Sequence, residues 1–279
     1  MEFIKMHGLG NDFVFLDHFQ NTREWDYPAL ARRLCDRHFG VGGDGLIVVR
    51  PSAAADAQMR IFNRDGSEAE MCGNGIRCFA RYMYDQGYPP TPSLRIETLA
   101  GVLKVRLEFE EDRFQGATVD MGEPIFAPAL IPVQAEREPV VAAELTVAGE
   151  RFYYTALSMG NPHCVIFVDD LECLDVAGLG SRIEKHPLFP RHTNVEFVWV
   201  KGPQELTVKV WERGAGATLA CGTGACAVVV GAALAGKSDR KATVHLPGGD
   251  LAIEWAEDNH VYMTGPAAYV FTGDYIDCE

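Results

Sequence analysis

Met71-Cys72-Gly73-Asn74-Gly75 and Ala220-Cys221-Gly222-Thr223-Gly224 are near-copies of one another. Each sets a cysteine ahead of a Gly-rich turn, and each turn opens into an apolar segment. The likeness continues outward at an almost constant offset. The two cysteines lie 149 positions apart, and at that same offset Ile61-Phe62-Asn63-Arg64 recurs as Val210-Trp211-Glu212-Arg213. Gly10-Asn11 recurs 150 positions later as Gly160-Asn161, each leading into a strand-like run, Phe13-Val14-Phe15-Leu16-Asp17 and Val165-Ile166-Phe167-Val168-Asp169. A period this long exceeds that of a solenoid repeat and indicates a duplicated domain. The reading is of two related halves with one thiol on either wall of a cleft.

The limits of the halves come from the repeat itself. Arg95 to Glu110 reads as two strands around Ala100-Gly101, followed by Gly116 to Met121; Lys241 to Glu254 reads likewise around Gly248-Gly249, followed by His260 to Met263. Gly122-Glu123-Pro124 and Thr264-Gly265-Pro266 then serve as matching exit turns. This gives an N-terminal half of residues 1–121 and a C-terminal half of 122–266, with the tail 267–279 returning through Tyr269-Val270-Phe271 to pair with the first half. Short alternating runs such as Val102 to Leu107 and Leu206 to Val210 predict strands. Asp26 is placed to cap a helix over Pro28 to His38 that closes at Gly40. Ile76, Phe79, Ala80 and Met83 recur at helical spacing after Cys72, with Gly87 to end that helix. The segment Ala225 to Ala235 is apolar all round, and a helix without a polar face must be enclosed. The expected fold is α+β (mixed α/β): two pseudo-symmetric domains, each a curved, mostly antiparallel sheet wrapped around a central helix.

The chain has 279 residues, 47% of them hydrophobic, with a formal net charge of −14. That charge, without a Lys/Arg cluster, argues against nucleic acid as a partner. The N-terminus, Met1-Glu2-Phe3-Ile4-Lys5-Met6-His7, has no signal-peptide apolar region, and Ala225 to Ala235 is too short to span a bilayer, so no membrane association and a cytoplasmic location are expected. Eight cysteines (35, 72, 78, 164, 173, 221, 226, 278) then read as free thiols rather than a disulfide framework. No Cys-x-x-Cys occurs, so no metal site is expected. Apart from Cys72 and Cys221 they are mostly read as small buried hydrophobes.

A cysteine where a Gly-rich turn enters a helix meets the positive end of the helix dipole, which favours thiolate. Glycines there let a ligand approach the first-turn backbone N–H groups, an anion site that Gly73, Asn74, Gly222 and Thr223 would provide. An α-carboxylate held by them would lie between the two thiols. Inverting a stereocentre by removing a proton on one face and returning one on the other needs two acid–base groups in opposite protonation states. Hydrogen-bond donors aimed at the enolate so formed are worth about 3–4 kcal/mol each. Gly8-Leu9-Gly10-Asn11-Asp12 lacks the third glycine of a dinucleotide fingerprint and no Lys sits in these motifs, so a cofactor-independent racemase or epimerase fits. His163, beside the repeated Asn161, Asn63 at the place that Glu212 takes in the second half, and Glu212-Arg213 are read as lining the cleft. Arg64 is read as a surface charge, and Met6-His7 and the Phe-rich strands as core.

The chain resembles the diaminopimelate epimerase family over essentially its whole length. The resemblance is carried by His7-Gly8-Leu9-Gly10-Asn11-Asp12-Phe13, Met71 to Cys78, Ser158-Met159-Gly160-Asn161-Pro162-His163-Cys164, Thr193-Asn194-Val195, Glu212 to Gly216 and Ala220 to Cys226. It implies interconversion of LL- and meso-diaminopimelate, feeding lysine and peptidoglycan synthesis, without pyridoxal phosphate. It implies Cys72 and Cys221 as the two bases, exchanging thiolate and thiol roles with direction, with His163 and Glu212 assisting the proton chemistry. Gly73, Asn74, Gly222 and Thr223 would hold the reacting carboxylate, and Asn11, Asn63, Asn161, Asn194, Glu212 and Arg213 would line the substrate pocket. Arg213 suits a second carboxylate, which its planar fork can bind by both oxygens; Glu212 suits an ammonium. Some members carry Gln where Gly45 stands, so that contact is either absent here or supplied by backbone or water. Members often form homodimers, some through a C-terminal aromatic, for which Phe271 is the candidate.

Three other readings use the same residues: a racemase of another amino acid such as histidine, a two-lobed amino-acid-binding protein, and a redox switch joining Cys72 to Cys221. Glu212-Arg213 and the asparagines disfavour imino-acid racemases, since they imply a charged second end on the substrate.

Overall fold

The computed structural model describes residues 1–19, 22–88 and 91–276. The first half of the chain forms β1 (Glu2–Gly8), β2 (Asn11–Asp17), α1 (Tyr27–Leu34), β3 (Gly45–Arg50), β4 (Ala57–Asn63), β5 (Glu68–Ala69), α2 (Gly73–Asp85), β6 (Ser93–Thr98), β7 (Gly101–Glu110) and β8 (Arg113–Asp120). The second forms β9 (Val140–Val147), β10 (Glu150–Ser158), β11 (Pro162–Phe167), α3 (Val176–Glu184), β12 (Asn194–Gly202), β13 (Glu205–Glu212), β14 (Gly216–Thr218), α4 (Gly222–Leu234), β15 (Lys241–Leu246), β16 (Gly249–Trp255), β17 (Val261–Gly265) and β18 (Ala268–Asp274). The chain splits into two compact units, Met1–Val119 with Thr264–Glu279, and Asp120–Met263.

In the first unit β1 lies antiparallel between β2 and β18, with Glu2 opposite Asp274. β2 runs parallel to β3, β3 antiparallel to β4, and β4 parallel to β6, from which β7 and β8 continue antiparallel. The second unit repeats the scheme: β10 with β11 antiparallel, β11 with β12 parallel, β12 with β13 antiparallel, β13 with β15 parallel, and β15 with β16 antiparallel. Beside β10, in the place that β18 takes beside β1, lies β9. The two positions are filled from opposite ends of their units in the sequence.

Strand alternation explains how each unit is layered. In β3 every residue from Gly45 to Val49 is buried, as a strand covered on both faces must be. Leu46 and Val48 face Tyr27, Leu30 and Leu34 of α1, while Ile47 faces α2 at Gly75. In β12, Val195 and Phe197 join the cluster that includes Ile183 of α3, and Glu196 faces α4 at Gly224. Each long helix is therefore central. α4 is buried from Ala225 to Ala232, the enclosure its apolar sequence demands. At about 1.5–3 kcal/mol for each fully buried Val, Val228, Val229 and Val230 help to fix it there.

Both helices end alike. Gly87, at φ +75°, sends its N–H to Tyr84 O at 2.9 Å, and Tyr88 N–H reaches Met83 O at 2.8 Å. Gly236, at φ +67°, bonds Ala233 O at 3.1 Å while Lys237 N–H reaches Ala232 O at 2.9 Å. These are paired Schellman closures that need a residue without Cβ in the left-handed region.

One expectation is corrected. Asp26 does cap α1 through Ala29 N–H at 3.1 Å, but the helix stops at Leu34 rather than His38. The Asp36 carboxylate takes the amides of His38 (2.7 Å) and Phe39 (2.8 Å), a local turn that competes with the helix. Cys35, Cys78, Cys164 and Cys226 are buried as expected, whereas Cys173 is exposed because it sits in the polar loop before α3. Cys278 lies outside the described residues. No described helix is long and apolar enough to cross a membrane.

Candidate active site

The first half-site is built on the N-terminus of α2. Cys72 is its N-cap in extended conformation (φ −141°, ψ 118°), and the first helical N–H to find a carbonyl is that of Ile76, 2.9 Å from Cys72 O. The amides of Gly73 and Asn74 come before it, in the first turn of the helix. Cys72 Sγ lies 3.7 Å from Asn11 Oδ1, a contact in which the thiol must be the donor because an amide oxygen only accepts. Asn74 Nδ2 donates to the same oxygen at 3.2 Å. The other end of the Asn11 amide is held by Asp44, with Nδ2 to Oδ2 at 2.8 Å.

Asp44 in turn belongs to an ionic cluster. Arg37 bonds both Asp44 (2.8 Å) and Asp12 (2.7 Å), and Lys5 lies 2.7 Å from Asp12. Burial works to raise the Asp12 carboxyl, and the Arg37 and Lys5 hydrogen bonds overcome it, bringing the group down to about 2. On the helix side, fully buried Arg77 donates to Gly73 O at 3.0 Å, Asn74 Oδ1 at 2.9 Å and Pro266 O at 3.1 Å.

The second half-site repeats the backbone and changes the wiring. Cys221 caps α4 (φ −121°, ψ 110°), Ala225 N–H is the first to bond back, at 3.0 Å from Cys221 O, and Gly222 and Thr223 come before it. Here the sulfur accepts: Gly224 N–H reaches Sγ at 3.3 Å, and Thr223 Oγ1 lies 3.5 Å away. Asn161 Nδ2 donates to Thr223 Oγ1 at 3.2 Å, and its Oδ1 lies 2.9 Å from His163 Nε2. His163 Nδ1 is 2.7 Å from Glu196 Oε1, with both side chains fully buried. Burial pushes the Cys221 thiol well above its ordinary value, as do the carboxylates of Glu212 and Glu196, while the Thr223 and Gly224 donors pull the other way.

The asparagines thus present opposite ends to their cysteines. Asn11 spends its NH₂ on Asp44 and offers oxygen to the Cys72 thiol, whereas Asn161 spends its oxygen on His163 and offers NH₂ toward the turn of Cys221.

A family model described as diaminopimelate epimerase matches residues 3–127 and 155–270. The chain belongs to the diaminopimelate epimerase family. It is 66% identical to a diaminopimelate epimerase from Desulfitobacterium hafniense over 98% of this chain and 97% of that one, and 56% identical to one from Moorella thermoacetica over 99% of both. The fold is also that of a solved phenazine biosynthesis protein of the PhzF family from Bacillus anthracis, at TM-score 0.71 and 16% identity over 99% of both chains.

The remaining residues picked out by likeness to diaminopimelate epimerases are placed as follows. Asn194, buried at the start of β12, donates to Pro162 O at 2.8 Å and accepts Arg213 N–H at 2.9 Å. It thereby ties the Glu212-Arg213 corner to the strand of His163. The Arg213 guanidinium, exposed, reaches Arg191 O at 3.2 Å, and Glu212 accepts the Thr218 hydroxyl. Asn63, exposed at the end of β4, donates to Ser67 Oγ at 2.9 Å. Arg64 is exposed and Met6 fully buried.

Sequence reading missed Glu196, Asp44 and Arg77. Glu196 had a signal, a lone acid within the apolar run Val195-Glu196-Phe197-Val198 of a covered strand. Arg77 had a weaker one, as a charge on the apolar stripe of α2. Asp44 had none, since an acid in a Gly-rich loop reads as surface.

Proposed function

We propose that the protein interconverts LL- and meso-2,6-diaminopimelate, supplying lysine and peptidoglycan precursors. The observation that carries the reading is that Cys72 and Cys221 cap the two long helices α2 and α4 in the same extended conformation, each at the start of a Gly-rich first turn. One thiol and one thiolate are what a two-base inversion requires. A thiolate takes the α-proton on one face of the substrate carbon while the opposite thiol delivers its own on the other; the reverse reaction exchanges the roles. For this, Cys72 and Cys221 must act on opposite faces of a single carbon, one contributed by the half 1–121 with 267–279 and the other by the half 122–266.

The amides of Gly73, Asn74, Gly222 and Thr223 hold the reacting carboxylate, and as the α-proton leaves they face the charge that develops on its oxygens. Glu212 takes an ammonium and Arg213 the distal carboxylate, with Asn11, Asn63, Asn161 and Asn194 completing the pocket and His163 assisting proton transfer. The thiols and amides suffice for this chemistry, so neither pyridoxal phosphate nor a metal takes part. The enzyme works in the cytoplasm as a homodimer, for which the exposed Val270 and Phe271 of β18 offer an apolar contact.

Reduced protein incubated with LL-diaminopimelate in D₂O, without added cofactor, tests the reading. The expected product is the meso isomer carrying one solvent deuteron at the inverted carbon, resolved by chiral separation and mass analysis. Free thiols with neither exchange nor meso product would overturn it.

A further inference from the structure

Glu196 stands where a carboxyl is costly. It is completely buried, its Oε2 has no hydrogen-bond partner, and burial raises its proton affinity against the pull of His163. The equivalent position of the first unit, 149 residues earlier, holds Ile47, and the two side chains occupy the same place. A Cβ on Gly75 would meet Ile47 Cδ1 at 2.9 Å, and a Cβ on Gly224 would meet Glu196 Oε1 at 2.9 Å and Cys221 Sγ at 3.2 Å. An apolar residue therefore satisfies the packing at this point of the fold, and the carboxyl is retained for something else.

Its proton bookkeeping says what. His163 Nε2 faces an amide oxygen, so it must carry hydrogen. Nδ1 faces a carboxyl oxygen at 2.7 Å, and that distance requires a proton between the two atoms, whichever of them holds it. With the proton there, the ring has one arrangement, Nε2–H donating to Asn161. Asn161 must then turn its NH₂ to Thr223, which leaves the Thr223 hydroxyl hydrogen free to point at Cys221 Sγ.

We propose that Glu196 is a positioning residue for the inversion: by sharing a proton with His163 Nδ1 it orients Asn161 and Thr223 so that the Thr223 hydroxyl donates to the Cys221 sulfur. This rests on Cys221 being one of the two acid–base groups. The other groups that bear on this sulfur are Glu212 from β13, which raises its proton affinity, and the Gly224 amide, which lowers it; buried Cys164 on β11 lies within the field of Glu196. The Glu196–His163 pair carries no net charge in either placement of its shared proton. The carboxylate charge, which alone would raise the Cys221 thiol, is thus balanced within the pair, and its effect on the sulfur is exerted through orientation.

The test is the pH midpoint of Cys221 alkylation by a small reagent, followed on the Cys221 peptide by mass spectrometry in wild type and Glu196→Gln. An amide at 196 can donate to Nδ1 or accept from it, so the ring loses its single arrangement and the sulfur loses its hydroxyl donor for part of the time. The midpoint is expected to rise by up to about one pH unit, roughly a tenfold loss of thiolate at fixed pH. A fall would show that Glu196 acts as a bare negative charge, and no change that it is a packing residue; either overturns the proposal. Should Glu196→Gln fail to fold, Thr223→Val removes the last donor and leaves the pair intact. Its midpoint must also rise, and an unmoved or lower value overturns the proposal. Alkylation needs no turnover, so a protein that fails to epimerise diaminopimelate would refute the function without deciding the orientation of Thr223.

Discussion

The first half-site is wired by fixed charges and the second by a buried histidine and carboxyl, although the backbone beneath them is the same. Both cysteines cap a thirteen-residue helix from extended conformation, and both helices close in the same Schellman geometry. What differs is a few side chains: Asp44 against His163 as the partner of the asparagine, Ile47 against Glu196 beneath the turn, Arg77 against Cys226 in the helix. A duplication supplies two identical stages, and a symmetric pair of sites would give both thiols the same proton affinity. Inversion needs one of them protonated and the other not, with the roles exchanging between directions. The divergence falls on the residues that decide whether a sulfur donates or accepts, and the scaffold is left alone.

The harshest way to break the comparison is to remove either sulfur. Cys72→Ala and Cys221→Ala are each expected to lower epimerisation by about 10²–10⁴-fold or more, the range of general acid–base contributions. Chiral separation of the products reads the loss. Because each half does a different job, the Ser variants should separate two activities: slow proton elimination from an activated substrate survives while racemisation does not. Racemisation at the wild-type rate in either Ser variant would sink the two-base reading.

A smaller effect is expected at the corner that only the second unit supplies. Arg213→Met removes the fork proposed for the distal carboxylate, and with hydrogen bonds to charged groups worth about 1.5–3 kcal/mol, KM should rise roughly ten- to a hundredfold. The turnover number should change far less, since the distal carboxylate of the substrate is remote from the reacting carbon. Steady-state kinetics would show the split; a fall in turnover with KM unmoved would place Arg213 at the chemistry instead.

The comparison also explains what could be read from sequence. The duplication, the central helices and their glycine stops were legible, because backbone geometry restricts which residues can occupy caps and turns. The enclosure of α4 followed from its lack of a polar face. The premature end of α1 was not legible, since helix period and side-chain capping compete at Asp36 and the period alone was counted. At the half-sites, asparagines and cysteines recurring at offsets of 150 and 149 were visible. Their opposite orientations were not, because the amide of Asn11 is turned by Asp44, 33 residues away in sequence, and that of Asn161 ultimately by Glu196. Such second partners are chosen by strand register, as when β11 and β12 bring His163 opposite Asn194.

Gly75 and Gly224 sharpen the comparison at a single atom. Alanine at 75 meets the flexible end of Ile47, which can give way, and replacing a helical glycine gains up to about 1 kcal/mol, so Gly75→Ala should keep its melting temperature and most of its activity. Alanine at 224 presses on both the Glu196 carboxyl and the Cys221 sulfur. A shift of either disturbs the thiol, and turnover should drop roughly tenfold or more, as small misplacements at a reacting group do. Equal losses in the two variants would mean that the packing beneath the turns, rather than the carboxyl, sets the difference.

The gentlest test concerns acid. Asp12 titrates near 2 in the folded protein, below its ordinary value, so its ionised form is favoured by folding. The stability it contributes is fully present above the unfolded value of about 3.9 and is lost as pH falls through about 2. Asp12→Asn should therefore lower stability near neutrality while flattening its acid dependence between about pH 4 and pH 2. Chemical denaturation at a series of pH values would show this, and Asp44→Asn would serve as the companion, since it frees the Asn11 amide without touching Lys5. If the Asp12 variant kept the full acid dependence of the wild type, the charges around Asn11 would be ornaments of the first half-site, and the contrast with the Glu196 side would have to rest on Asp44 alone.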